Sequence, residues 1–526
     1  MSTESRQHPT SSQASLPSLG AYAAQLQAAG VDPLTAGRHW ELLSMNNHAV
    51  RLARPARLND GIVQLTEVEQ QDLAKSYHES MSDLDVIKFI PSSGAATRMF
   101  QFLKQFVQDY NIAADKDLFF ETAKTQEPLQ TFLQGLERLP FYTQWRVTAR
   151  SAKPINTDDA RNVHEFVTYL LDSKQAGLPD MPKGLVPFHT VNRKPRTAFQ
   201  EHLTEAELYS TGKTGTRAHF TVQEEHQAAF EQALQAVTKA SDDTRWDVSF
   251  SIQSPSTNTI AMTMDGNLLI DEQGKAVTRP GGHGALLPNL NQLDADLILI
   301  KNVDNVTTSQ FLQELVYHKK VLAGLALKVK ASIDALLKEL DEVGTLSRKR
   351  TKEIPALLKE LHLSVPADYD RMPALKQSEE LRLLLDRPLR VCGMVQNVGE
   401  PGGGPFHVYD QYGRTSLQIV ESAQVDRQDA FQSEIFRSGT HFNPVDLACC
   451  TKDYKGKSYD LMQYRDDAAV IITEKHVAGQ DARVLELPGL WNGAMAHWNT
   501  IFVEVPLATF NPVKTVNDLL KPAHQS

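Results

Sequence analysis

Short apolar runs alternate along this chain with longer stretches of helical spacing, and the first run, Val86-Ile87-Lys88-Phe89-Ile90, reads as a buried strand. It passes directly into Pro91-Ser92-Ser93-Gly94-Ala95-Ala96-Thr97-Arg98-Met99 and then into the amphipathic segment Phe100 to Tyr110. Strand, small-residue turn and helix is an arrangement that suits nucleotide binding. Further strands are predicted at Ala218 to Val222, at Asp247 to Gln253 and at Ala295 to Lys301, the last almost continuously apolar as a strand covered on both faces should be. After Arg387 the β pattern returns at Val391 to Val395, Gln418 to Val420, Ala469 to Thr473 and Thr500 to Val505. Helical spacing dominates from Gly20 to about Asp85, with Pro33 and Pro55 as punctuation, in the polar stretch 111–177, and from Phe311 through Leu340 to Leu385. Strands alternating with helices predict an α/β fold around a mainly parallel sheet.

This pattern divides the chain into a disordered tail at 1–19, a helical N-terminal region at 20–85, an α/β core at 86–390 and a C-terminal part at 391–526. The core carries helical insertions near 111–177 and 330–385. The tail is rich in Ser, Thr, Gln and Pro and lacks the basic start and apolar stretch of a secretory signal.

Composition narrows the classes. The 526 residues suffice for a large core, and hydrophobic residues at 41% with charged residues at 22% are ordinary for a globular protein. There is no run of about 20 apolar residues to span a bilayer. The charge of −10 gives no basic footprint for nucleic acid and no polybasic membrane patch. Cysteine occurs only at Cys392, Cys449 and Cys450, which offers neither a disulfide framework nor a CxxC metal site and fits a reducing cytoplasm. No internal repeat of 20 to 50 residues points to a solenoid or propeller.

Several segments could carry chemistry. In the turn Gly94, Ala95, Ala96 and Thr97, small residues let backbone N–H groups approach an anion, the following helix adds partial positive charge, and Arg98 can reach phosphates. The same residues equally suit a tight strand-to-helix turn with an exposed arginine, since neither GxGxxG nor P-loop spacing is present. In Thr278-Arg279-Pro280-Gly281-Gly282-His283-Gly284, three glycines around a histidine imply a sharp turn or a close contact, the alternative being a plain surface loop. Asp304 follows the strand ending at Lys301, where α/β sheets bind ligands, and one such carboxylate with nucleotide phosphates can hold Mg²⁺; it could also be a turn or helix-capping Asp. Three later segments, Gly399 to Pro405, Leu417 to Val425 and Thr509 to Leu520, identify no reaction alone, and Lys514 in the last could be an ordinary surface lysine.

In their order, these segments resemble the eukaryotic-type UDP-glucose and UDP-N-acetylhexosamine pyrophosphorylases, patchily from about Val86 to Leu520, and the set looks like a bacterial branch of that group. The resemblance implies a Rossmann-like GT-A nucleotidyltransferase sheet. It makes Gly94 to Met99 the nucleotide loop, with Ser92, Ser93, Ala95 and Ala96 where the family has more glycine. Lys183, in Pro182-Lys183-Gly184, becomes a phosphate-contacting lysine once the intervening helical stretch loops out. Gln253 becomes the base-reading glutamine, and Gly281, Gly282 and His283 a loop on base and sugar. Asp304 takes the metal aspartate's place, Gly403, Glu421 and Asn443 the sugar site, and Lys514 a phosphate-binding lysine. The implied reaction joins a sugar 1-phosphate to a nucleoside triphosphate, UTP by the resemblance, with Mg²⁺, Arg98, Lys183 and Lys514 neutralising charge. A glycosyltransferase on a similar fold, a non-catalytic nucleotide-sugar sensor and an assembly protein remain as alternatives. Base, sugar and oligomeric state do not follow from spacing.

Overall fold

The apolar runs at 86–90 and 295–301 become neighbours, paired in parallel from Val86 against Leu297 to Phe89 against Ile300. In this computed structural model residues 17–45, 49–148, 154–240, 246–366, 368–399 and 402–525 are described. They form a mixed α/β fold. Its eleven-stranded sheet centres on β1 (Val86–Pro91), β2 (Gly215–Val222), β3 (Trp246–Ile252), β4 (Leu297–Lys301), β5 (Leu389–Gln396), β6 (Asp446–Cys450) and β7 (Asn499–Glu504). Across the sheet these lie in the order β7-β5-β6-β4-β1-β2-β3. Neighbours run parallel except at β6, which is antiparallel to both β4 and β5.

Side chains alternate between the faces. Ile298 and Ile300 share a core with Ile87, Phe89 and Cys392 on one face. On the other, Leu297, Leu299 and Val391 pack beneath the 35-residue helix Ser309–Val343. This period of two, with both faces covered, is why these strands read as unbroken apolar runs.

Two of those runs carry a lysine. Lys88 Nζ lies 2.9 Å from Glu205 Oε2, and Lys301 Nζ 3.0 and 2.9 Å from the two Glu205 oxygens. Glu205 belongs to the helix Ala198–Tyr209, and all three side chains are buried. One carboxylate thus clamps β1 to β4. A second buried pair, Lys319 with Asp446, ties the long helix to the start of β6.

Several boundaries differ from the sequence pattern. The N-terminal region is not helical throughout: strands Leu52–Pro55, Arg57–Leu58 and Gly61–Val63 interrupt it, the first pairing with Gly404–Tyr409 and the last with β7. Strands this short leave no legible period, and their pairing partners are remote in sequence. Of the tail, residues 1–16 lie outside the described residues, whereas 17–19 open the helix Pro17–Ala28 with Leu19 buried. In the stretch 111–177 the described residues, 111–148 and 154–177, are largely helical, but they do not loop out: Phe120, Phe132 and Phe166 join Ile90, Phe220 and Val222 in one core. The second insertion, drawn from 330, begins inside the long helix, whose Ile333, Leu336, Leu337 and Leu340 are buried at helical spacing. Strands Gly404–Tyr409, β6, Asn258–Thr263 and Gln480–Glu486 were not foreseen. Among the described residues no helix is long and apolar enough to cross a membrane, and the three cysteines are buried and free.

Candidate functional site

Because β1, β2, β3, β4, β5 and β7 run in one direction, their carboxyl ends share one edge of the sheet, where loops of α/β folds hold ligands. The turn at Gly94 follows β1, Gln253 follows β3, Asp304 follows β4, Gly403 follows β5 and Lys514 follows β7. Asn443 reaches the same edge just before the antiparallel β6.

The tightest gathering lies over β1 and β4. Gly94 O accepts from Lys183 N at 3.0 Å, Ala96 N donates to Met181 O at 3.0 Å, and Thr97 Oγ1 donates to Pro179 O at 3.1 Å. The turn is therefore stitched to the segment that carries Lys183. Lys183 Nζ then lies 2.7 Å from Asp304 Oδ2, and Lys514 Nζ 3.9 Å from the same oxygen. Asp304 O accepts from Val513 N at 3.1 Å and Asn305 Oδ1 from Asn511 N at 2.9 Å, which fixes the third loop against the second. Lys514 N and Thr515 N both donate to Asp518 Oδ2, at 2.8 and 2.6 Å. Burial works to raise Asp518, but the Lys521 ammonium and those backbone donors hold it below the usual carboxylate range. Asn305, Asn511 and Asp518 escaped the sequence reading, although Thr515-x-x-Asp518 is a capping-box spacing.

Gly94, Ala95, Thr97 and Arg98 are exposed while Ala96 is buried. A Cβ at Gly94 would meet nothing within 4 Å, so the turn faces open space. Arg98 does not join this cluster. It lines a cavity of about 860 Å³ between the helix Gln101–Ile112 and the loop at 515–521, with no hydrogen bond or ion pair to Lys183, Asp304 or Lys514.

The C-terminal segment braces this cluster. Ala523 O accepts from Thr308 N at 2.9 Å and Thr307 Oγ1 at 3.0 Å, just beyond Asp304, and His524 Nδ1 is 2.9 Å from His189 Nε2. Burial, with the nearby His189, pushes His524 down to about 3. A base depressed in the folded state costs stability as pH falls from its unfolded value of 6.5 towards 3, because the unfolded chain binds the proton first. Urea midpoints between pH 7 and pH 3.5 should accordingly decline in the native protein, and less steeply in His524→Gln; parallel declines would contradict the assignment.

A second cluster surrounds His283. Its Nδ1 accepts from Leu490 N at 3.0 Å, so the proton sits on Nε2, which is 3.5 Å from Glu421 Oε1, and the ring stacks on Trp491 at 4.2 Å. Asn492 Nδ2 donates to Glu421 Oε1 and to Gln424 Oε1, each at 3.0 Å. Burial works to raise Glu421, yet His283 and Asn492 hold it below its ordinary value. The glycines here are spent on chain packing. A Cβ at Gly281 would meet Thr257 O at 2.4 Å, at Gly282 Glu486 Oε2 at 2.7 Å, and at Gly284 Pro488 O at 2.1 Å. Only Gly282 among them has positive φ, +71°. Gly284→Ala should therefore cost about 1–3 kcal/mol, as overpacking does, by forcing the 487–490 backbone off His283. An unchanged thermal midpoint would show that this contact has slack.

Gly403 O accepts from Asn443 N at 2.8 Å, and Asn443 Oδ1 from Val445 N at 3.0 Å, leaving the buried Asn443 Nδ2 without a partner among the described residues. Next to them Phe442 meets the Phe510 ring at 5.0 Å, which links this pair to the Lys514 loop. Glu400 and Pro401 lie outside the described residues. Gln253 is half-buried at the end of β3, beside the contacts of Asn289 Nδ2 with Ser251 Oγ at 2.7 Å and Ile252 O at 2.9 Å. Among the described residues no hydrogen bond or ion pair joins His283 or Glu421 to Asp304.

Residues 21–525 match the family described as a domain of unknown function, DUF4301. No curated protein matches the sequence. Among solved structures, the uridine diphosphate N-acetylglucosamine pyrophosphorylase of Trypanosoma brucei, in complex with inhibitor, is similar at 13% identity and a TM-score of 0.47, over 97% of this chain and 80% of that one. A mutant UDP-glucose pyrophosphorylase of Leishmania major is similar at 13% identity and 0.45, over 97% and 79%. For the UDP-glucose phosphorylase of Trypanosoma brucei the values are 12% and 0.44, over 96% and 78%.

Proposed function

We propose that this chain, which belongs to the DUF4301 family, is a nucleotidyltransferase on a Rossmann-like sheet of GT-A type, joining a sugar 1-phosphate to a nucleoside triphosphate, UTP first among them. The observation that carries this reading is the convergence of two lysine ammoniums, Lys183 and Lys514, on Asp304 Oδ2 beside the open Gly94 turn. These groups come from loops far apart in sequence and meet at the carboxyl edge of a parallel sheet.

In the proposed reaction a sugar phosphate oxygen forms a bond to the α-phosphorus, and the bond from that phosphorus to the α–β bridging oxygen breaks, releasing pyrophosphate. The nucleophile is already an anion, so no general base is required. Catalysis then consists of holding the two phosphates in line and offsetting their charge. The backbone of Gly94, Ala95, Ala96 and Thr97 lies against the triphosphate, and Lys183 and Lys514 neutralise it. Gln253 borders the base, while His283, Gly403, Glu421 and Asn443 receive the sugar.

Asp304 is a single carboxylate with one oxygen already on Lys183, and among the described residues no three His, Cys, Asp or Glu side chains gather as a metal site. This donor set suits Mg²⁺ that arrives as part of the nucleotide substrate, whose phosphates and waters complete its shell. The same ion pair favours a second reading, a nucleotide or nucleotide-sugar binder without turnover, because Lys183 is partly neutralised before any substrate arrives. Calorimetry tests what the two readings share. UTP with Mg²⁺ should bind, and Lys183→Ala should weaken it by about tenfold or more, as loss of a charge-assisted contact does. Failure of every nucleoside triphosphate to bind would remove both readings.

A further inference from the structure

A cavity of about 460 Å³, apart from the carboxyl edge of the sheet, lies among the strands Gly404–Tyr409 and Thr415–Val420 and the chain around Arg387 and Trp498. Its size is ordinary for a small-molecule site. Its electrostatics are not ordinary. Arg387 is half-buried, and its Nε donates to Leu383 O at 2.6 Å. Among the described residues it makes no ion pair, and burial and the neighbouring Arg414 both act against its charge, with only Tyr464 acting for it. Arg414 lines the same cavity, its Nε 2.9 Å from Asp410 Oδ2 and its guanidinium 5.2 Å from the Tyr412 ring centre.

The acids on the wall are already engaged. Asp410 Oδ1 accepts from Tyr412 N and Arg414 N, each at 2.8 Å, and Asp466 Oδ1 from Ala468 N at 2.9 Å. Trp498 also lines the cavity; it is 4% exposed, and its indole N–H has no partner among the described residues. Leu384, Val408 and Ile419 supply apolar wall. Arg414 already has Asp410 as its counter-ion, whereas the half-buried Arg387 has none among the described residues and is left to be balanced by an anion in the cavity, and the guanidinium fork matches phosphate oxygens. An indole beside aliphatic side chains suits the face of a ring.

We propose that this cavity is a binding site for a ring-bearing phosphate monoester, its phosphate held by Arg387 and Arg414 and its ring against Trp498 and the aliphatic wall. The site is independent of the transferase reading, but it has a route to that chemistry. Gln424 on the wall accepts from Asn492 Nδ2, which also donates to Glu421, both at 3.0 Å. Asn492 is thus the hydrogen-bonded link between the cavity wall and the His283 cluster.

The test is calorimetric titration of the full-length protein with phenyl phosphate, inorganic phosphate and phenol. Phenyl phosphate should bind saturably at one site, inorganic phosphate at least about tenfold more weakly, and phenol not measurably. Arg387→Gln and Arg414→Gln should each weaken phenyl phosphate by about tenfold, with Arg387→Lys falling between, while Lys183→Ala and Lys514→Ala leave it unchanged. Arg414 is exposed, so its variant carries the test even if Arg387→Gln fails to fold. No saturable binding at millimolar phenyl phosphate, binding that survives both arginine changes, or binding lost with Lys514→Ala would each overturn the proposal.

Discussion

On the proposed transferase reading, Lys514→Ala is expected to lower kcat/KM for nucleotide-sugar synthesis by about a hundredfold, roughly 3 kcal/mol of transition-state stabilisation, while leaving thermal stability near that of the native protein. The separation follows from how the loop is built. Its backbone is held by Asp518 through Lys514 N and Thr515 N, and by the Val513 N to Asp304 O bond, none of which uses the lysine side chain. That side chain is 47% exposed, so the alanine variant leaves no buried vacancy. What it removes is an ammonium 3.9 Å from the carboxylate shared with Lys183. Lys514→Arg should recover part of the rate, because charge rather than ammonium geometry is the first requirement at this distance. Steady-state kinetics together with thermal scans on the three proteins check both halves. Equal losses of rate and stability would mean that Lys514 supports the fold and not the reaction.

The largest stability effect is expected at Glu205. Its carboxylate lies between Lys88 and Lys301, accepts from Tyr209 Oη at 3.0 Å, and sits on a helix whose His202 Nε2 is 3.1 Å from Val303 O. Burial drives both lysines below their ordinary pKa, and Glu205 is the group that pulls them back. Glu205→Ala would leave two buried ammoniums uncompensated, at a cost of about 3–5 kcal/mol, measurable as a lowered urea midpoint. Replacing all three residues by Met should restore much of that loss, since apolar replacements of similar volume remove the desolvation penalty along with the attraction. If Glu205→Ala alone were neutral, the three groups would not be the clamp between β1 and β4 described here. The point bears on function, because those two strands present the Gly94 turn and Asp304.

Those strands were also the most legible part of the fold. A parallel strand covered on both faces is apolar at nearly every position, so 86–90 and 295–301 stand out, and their exceptions, Lys88 and Lys301, mark the buried pair with Glu205. β6 is as short as β4 and equally buried, but it begins at Asp446 and continues through Ala448 and two cysteines in place of an unbroken Leu/Ile run, and the ion pair of Asp446 with Lys319 that makes its burial tolerable is invisible in sequence. The helices after Gln101 read as a polar insertion because one face is solvated; the aromatic residues on the other face, packed on Phe220 and Val222, are what bind them to the sheet.

The candidate site was legible where loops follow legible strands, as at Gly94 and Asp304. The glycines around His283 did signal a close approach, but the approaching group is the chain at 486–488. Lys514 followed only from the resemblance. That it faces Asp304 depends on the Asn305 and Asn511 contacts, which link remote segments and leave no local pattern.

The most direct measurement is pyrophosphate release by the purified full-length protein with Mg²⁺, with UTP and the other nucleoside triphosphates each paired with a panel of sugar 1-phosphates, and with Asp304→Ala alongside. The transferase reading predicts release that requires both substrates and falls by about a hundredfold or more in the variant. Nucleotide binding without release from any pair would contradict it and leave the chain a binder.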